Sequence, residues 1–126
     1  MRNYHIPLIV FAPGGQVGAI ANSAITEASG IAASRRNSNV LWVHNDSGDA
    51  ARIFAMTSSG VNLGVYSIAG ASAVDWEDIA VGLGPADDTH YVYIGDIGDN
   101  LAIRPTISVY RVAEPEVSDT QPPATN

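Results

Sequence analysis

The chain has 126 residues, a formal net charge of −7, no cysteine and no lysine. Its length leaves room for one domain with a real core, the missing cysteines exclude disulfides and thiolate chemistry, and so acidic a surface repels the phosphate backbone of nucleic acids. The acidity is uneven: residues 1–74 set four arginines against Glu27, Asp46 and Asp49, while residues 75–126 set two arginines against ten carboxylates.

In chain order, the apolar run at residues 6–11 is too short to span a membrane and has no small-residue cleavage site of an export signal. It reads as a strand, with a degenerate export signal as the alternative. Residues 12–27 are rich in glycine and small side chains, with a further strand expected at 16–21. Residues 1–24 therefore form a lead-in. A first unit over 25–70 follows, with strands expected at 28–34, 40–44, 51–57 and 61–68 separated by Gly/Ser/Asn turns, the pattern of an antiparallel meander. A second unit over 71–115 has strands expected at 76–83, 90–95 and 106–112 and no evident outer strand. The composition of 116–126, rich in Pro, Thr and Ser, reads as a disordered tail. No helical period of useful length occurs. The runs Leu41-Trp-Val and Tyr91-Val-Tyr-Ile lack alternation, as in strands covered on both faces.

The two units echo each other. Ile31-Ala32 lines up with Ile79-Ala80, Asp46-x-Gly48-Asp49 with Asp96-x-Gly98-Asp99, and Ile53-Phe54 with Val109-Tyr110. Self-similarity at about 40–50 residues, with several short strands per unit, marks the blades of a β-propeller. The expected fold class is all-β: antiparallel blade-like sheets, about two blades of an incomplete ring.

In an antiparallel hairpin the start of one strand lies beside the end of its partner. That brings Asp75, Glu77 and Asp78 toward Asp96, Asp99 and Asn100, and puts Asn45, Asp46 and Asp49 at the matching end of the first unit. Clustered carboxylates raise one another's pKa unless something compensates, and Ca²⁺, which takes about 6–8 oxygen ligands, is a natural compensation. The plainer role of such acids is to satisfy backbone N–H groups in tight turns, and both readings stand for Asp46 and Asp96. The spacing is not that of an EF-hand loop. His44 stands at a strand end beside Asn45-Asp46, either orienting a ligand or satisfied within a turn. Trp42 belongs to the core, whereas the charged neighbours of Trp76 put it near the mouth of the acidic face. Arg104 either binds an anion or is solvated. No serine sits in a Gly-x-Ser-x-Gly elbow, and Gly14-Gly15-x-x-Gly18 misses the dinucleotide pattern.

The segments Ala28-Ser-Gly-Ile-Ala, Leu41-Trp-Val-His-Asn-Asp-Ser-Gly, Asp75-Trp-Glu-Asp-Ile-Ala and Gly95-Asp-Ile-Gly-Asp-Asn100 resemble the opening blades of bacterial six-bladed propellers, the phytase-like and esterase-like relatives of NHL-repeat proteins. The likeness covers about residues 25–115. It implies a Ca²⁺-supported, extracytoplasmic propeller with a ligand pocket at the central channel. It also implies that Asp75, Glu77, Asp78, Asp96, Asp99 and Asn100 carry the metal, and more blades than two. Two expectations of function follow. One is a Ca²⁺-stabilised binding or scaffolding module, its ligand small or anionic and held near His44, Asn45, Asp46, Asp49, Trp76 and Arg104. The other is a metal-dependent hydrolase of phosphoesters or carboxylic esters. Two blades leave apolar faces uncovered, so either the chain is a truncated product or copies associate, three of them making the simplest closed ring.

Overall fold

The computed structural model describes residues 10–118. Among them are seven strands and no helix, arranged as two open antiparallel sheets. The first sheet holds β1 (Ala28–Ala33), β2 (Leu41–Asn45), β3 (Arg52–Met56) and β4 (Asn62–Ser67) in that order; the second holds β5 (Trp76–Leu83), β6 (His90–Asp96) and β7 (Ser108–Ala113). Each is a simple meander. The β1–β2 and β5–β6 turns place Asn39 and Asp88 at φ of 56° and 53°, the left-handed region that Asn and Asp tolerate best after glycine. The all-β, blade-like reading of the sequence holds. No helix among the described residues is long and apolar enough to cross a membrane.

The sheets pack face to face, with β1 against β5. Their facing side chains form one core: Val40, Trp42, Ile53 and Ala55 from the first sheet meet Trp76, Ile79, Val92 and Ile94 from the second. Burying each large apolar side chain contributes about 1.5–3 kcal/mol, so this layer dominates the fold. Trp42 meets Tyr66 edge-on at 5.3 Å between ring centroids, and Trp76 meets His44 at 5.9 Å. Trp76 is fully buried, and its indole N–H donates to the Ser72 carbonyl at 3.0 Å. It is an inter-sheet core residue, not the mouth residue its charged neighbours suggested. Alternation overrides the neighbours: Trp76 and Ile79 share the inward face across a bulge at Glu77–Asp78.

A single buried carboxylate ties the far ends of the sheets together. Glu114 follows β7 and accepts hydrogen bonds from the Ser34 hydroxyl at 2.5 Å, the Trp42 indole at 2.8 Å, and the amides of Arg35 and Arg36 at 3.1–3.3 Å. The chain continues along the β1–β2 turn, where the Val117 amide donates to Asn37 Oδ1 at 2.9 Å. The first residues of the expected disordered tail thus have defined partners; residues 119–126 lie outside the described part.

The lead-in differs from expectation. Of the strand expected at 6–11, residues 6–9 lie outside the described part, and Val10 and Phe11 are exposed and unpaired into any sheet. The strand expected at 16–21 does not form. Ala21 makes one backbone bond, to Gly60, and the Asn22 amide meets Asn62 at the start of β4. Four residues later, Thr26 and Glu27 bond to Asn45 at the opposite end of β2. The segment therefore runs diagonally over the face of the first sheet turned away from the second, above Val43 and Phe54, which are fully buried. Among the described residues, none covers the outer face of the second sheet in this way. Tyr91 and Tyr93 on its outer face stay half-exposed, so the two-sided burial read from the Tyr91-Val-Tyr-Ile run applies to β2 and not to β6.

Replacing Glu114 by Ala takes the partner from the buried Trp42 indole N–H, from the half-buried Ser34 hydroxyl and from the amides of Arg35 and Arg36 at the surface. A buried donor left without a partner costs about 1–3 kcal/mol and an ordinary lost hydrogen bond about 0.5–1.5 kcal/mol, so thermal melting should show a loss of about 2 kcal/mol or more. A midpoint within a degree of wild type would contradict the clamp.

Candidate metal centre between the two sheets

Both sheets secure the chain leading into their inner strand in the same way. Asn45, at the end of β2 opposite Ala28, accepts the amides of Thr26 and Glu27 on its Oδ1 at 3.0 and 3.2 Å. Asp96, at the end of β6 opposite Trp76, accepts the amide of Asp75 at 3.0 Å. The spatial counterpart of Asp96 is thus Asn45, one residue earlier than the alignment of the two Asp-x-Gly-Asp motifs suggests. Between the cap and the last Asp of the motif the first loop holds three residues, 46–48, against two, 97–98, in the second, and the extra residue is Asp46.

The chemistry around the two caps differs accordingly. Asn45 is neutral and carries its own donor, which it gives to Ala24 at 2.8 Å and Asp49 at 2.7 Å. Asp96 is buried and charged, and Arg104 meets it at 2.8 Å. Asp49 is gripped by Arg52, with Nη2 at 2.8 Å. Burial alone would raise the pKa of Asp49, but hydrogen bonds from Arg52, Asn45 and Ala50 outweigh it and hold the group below its ordinary 3.8. Its stabilisation is therefore present above that value and lost as pH falls through the lower, folded one. Asp99 accepts the amides of Ile103 and Arg104 at 3.0 and 2.9 Å and shapes the loop before β7.

Asp46, released from capping, reaches across to the second sheet. Its carboxylate, that of Asp75 at the threshold of β5 and that of Glu77 on the bulge offer oxygens that all lie within 4.8 Å of one another. Gly98 closes the floor of this group. Its amide donates to the Asp75 carbonyl at 3.1 Å, and a Cβ there would collide with the carboxyls of both Asp75 and Glu77. The space beside the carboxylates depends on a glycine. Partial burial and the neighbouring Asp46 carboxylate push the Asp75 pKa up, with Asp96 adding to the rise and Arg104 opposing it.

The residues singled out from sequence thus divide. Asp75 and Glu77 converge, joined by Asp46, which the sequence reading had placed among ligand contacts. Asp78 turns to the opposite face of the second sheet, because the bulge at Glu77 shifts the alternation; its carboxylate accepts the Ile79 amide at 2.8 Å. Asp96 lies behind the cluster as a cap, Asp99 is spent on its loop, and Asn100 is exposed at the rim of a hollow of about 250 Å³ that Ser47, Asp75 and Arg104 also line. Arg104 is held by Asp96 and by the Gly98 carbonyl at 2.7 Å. His44 is completely buried between the sheets. A carbonyl can only accept, so its Nδ1 carries the proton donated to Asn45 at 2.7 Å; Nε2, left without a partner among the described residues, points at Gly30, where a side chain would strike it. Nothing in the sequence marked Gly98 as a cradle or Glu114 as a clamp, since each acts on residues distant in the chain.

Comparison with known protein families, with characterised proteins and with solved structures finds no match.

With its pKa raised, Asp75 binds a proton more tightly in the folded chain than in the unfolded one. Its charge thus costs stability at neutral pH, a cost relieved as pH falls through the folded value. Asp75→Asn, which keeps the size of the side chain, should raise the ion-free melting temperature at pH 7 and flatten its pH dependence toward acid. A lower midpoint at pH 7 would show that the charge is already compensated.

Proposed function

We propose that the chain is a pair of propeller-type blades whose acidic end takes up Ca²⁺, making a Ca²⁺-stabilised binding or scaffolding module. The observation that carries this reading is that the carboxylates come from both sheets: Asp46 from the loop after β2, Asp75 and Glu77 from the start of β5. A cation there bridges the sheets and replaces mutual repulsion with shared attraction. Ca²⁺–oxygen distances of about 2.3–2.6 Å allow ligand oxygens up to about 5 Å apart around one ion, and the three carboxylates already lie within that span. They fit Ca²⁺ better than Mg²⁺, which needs a tighter octahedral shell and keeps its waters.

Three carboxylates leave coordination positions for water or for an oxygen-bearing ligand. The adjoining hollow, with Asn100 and Arg104 on its wall, is where an anionic ligand would reach the ion. The doubled Asp-x-Gly-Asp loops, and the shared use of Asn45 and Asp96 as caps, support a repeated blade unit of the kind the sequence resembles.

Ca²⁺ at about a hundredfold over its Kd stabilises by about 2.7 kcal/mol. In a chain of this size that raises the melting temperature by about 5 °C or more, and Mg²⁺ should do less. Asp46→Asn combined with Asp75→Asn should abolish the response while leaving the ion-free protein folded. Wild-type melting indifferent to Ca²⁺ would overturn the metal reading and leave these acids as turn residues.

A further inference from the structure

Four strands form the edges of the two sheets, and three are guarded. β1 and β5 lie against each other between the sheets. β4 is irregular, with a register shift opposite Ala55–Met56 and Gly64 at φ 147°, and the lead-in segment bonds to Gly60 and Asn62 at its start. β7 differs. Its six residues pair with β6 in unbroken register, and among the described residues no strand pairs with its far side. It carries no proline and no bulge, two usual devices that keep a free edge from recruiting another strand, and its one charged side chain, Arg111, lies over the Tyr91 ring of the neighbouring strand.

The surroundings of β7 are also unusual. The second half of the chain is strongly acidic, yet residues 100–113 contain no carboxylate and two arginines, Arg104 and Arg111. Exposed apolar side chains gather in and beside that stretch: Leu101, Ile103, Ile107 and Val109 are each more than 60% exposed. Val109 also borders a groove of about 140 Å³ with Ala80, Tyr93, Gly95 and Ile97 on the outer face of the second sheet. This strip is where two such acidic molecules can approach without setting carboxylate against carboxylate.

We propose that β7 pairs with β7 of a second copy, antiparallel and about a two-fold axis at Tyr110, joining two three-stranded sheets into one of six. Antiparallel pairing keeps each side chain on its own face, so partners must have the same parity. The register centred on Tyr110 sets Val109 opposite Arg111 of the second copy, twice. The neighbouring register, centred on Arg111, would set the two guanidinium groups opposite each other, and like charges directly across a ladder are destabilising. The pairing is isologous, so it closes at two copies and leaves the acidic end of each free.

Sedimentation of the full chain tests this. Wild type should show a monomer–dimer equilibrium, and Val109→Lys, at an exposed position, should shift it to monomer by facing Lys with Arg111. Adding Arg111→Glu to Val109→Lys should restore the dimer. The chain has no native cysteine, so mixing Val109→Cys protein with Arg111→Cys protein should give an oxidative cross-link that neither forms alone. A monomeric wild type at all concentrations overturns the proposal, as does a dimer untouched by Val109→Lys or an Arg111→Cys protein that cross-links to itself.

Discussion

Everything at the acidic end depends on how closely the two sheets approach each other along β1 and β5. The approach is set by a small layer of side chains: Trp76 edge-on to His44, and Ile79 beside Gly30, where even a methyl group would strike both His44 and Ile79. Interiors packed to crystal density do not tolerate such an intrusion without shifting the backbone. A shift there moves β5, and with it Asp75 and Glu77, relative to Asp46. The packing of an apolar layer therefore fixes the geometry of a polar site at its end, while Glu114 holds the other end.

The chain handles its carboxylates in three distinct ways. Asp49 and Asp96 are met by arginines, Asp99 by backbone amides and Glu114 by two amides, an indole and a hydroxyl, while Asp46, Asp75 and Glu77 turn carboxylate oxygens toward one another, Asp46 also taking the Ser47 amide. The first two arrangements satisfy charge within the fold. The third leaves it open to an external cation, and for Asp75 the cost appears as a raised pKa. The contrast between Asn45 and Asp96 shows the same economy on a single position: a neutral amide can cap the chain without help, whereas a carboxylate there brings an arginine with it.

Much of the fold was legible. Short β-branched and aromatic runs between Gly, Asn and Asp turns gave both meanders, because strand and turn preferences act locally. The doubled acidic loops also put the carboxylates at one end of the strands. What stayed hidden depends on register and on distant contacts. The bulge at Glu77 turns Asp78 away, and the extra residue between Asn45 and Asp49 frees Asp46. Neither has a signature in residue type. Trp76 was misjudged by its charged neighbours in sequence, though alternation along β5 decides where its ring points. The lead-in reads as strands in the sequence, and instead 21–27 lies across the first sheet, tied by backbone bonds of Ala21 to Gly60 and of Asp46 to Glu27 and by side-chain bonds at its two ends.

If a cation joins the sheets, its effect must be felt on both at once. Hydrogen exchange read by mass spectrometry, with and without Ca²⁺, tests this most directly, since local opening reports where stability is added. Protection should rise together in the peptide covering residues 45–49 and in that covering 73–79, with little change around 34–40 at the opposite end. Protection confined to one sheet, or absent from both, would contradict the account.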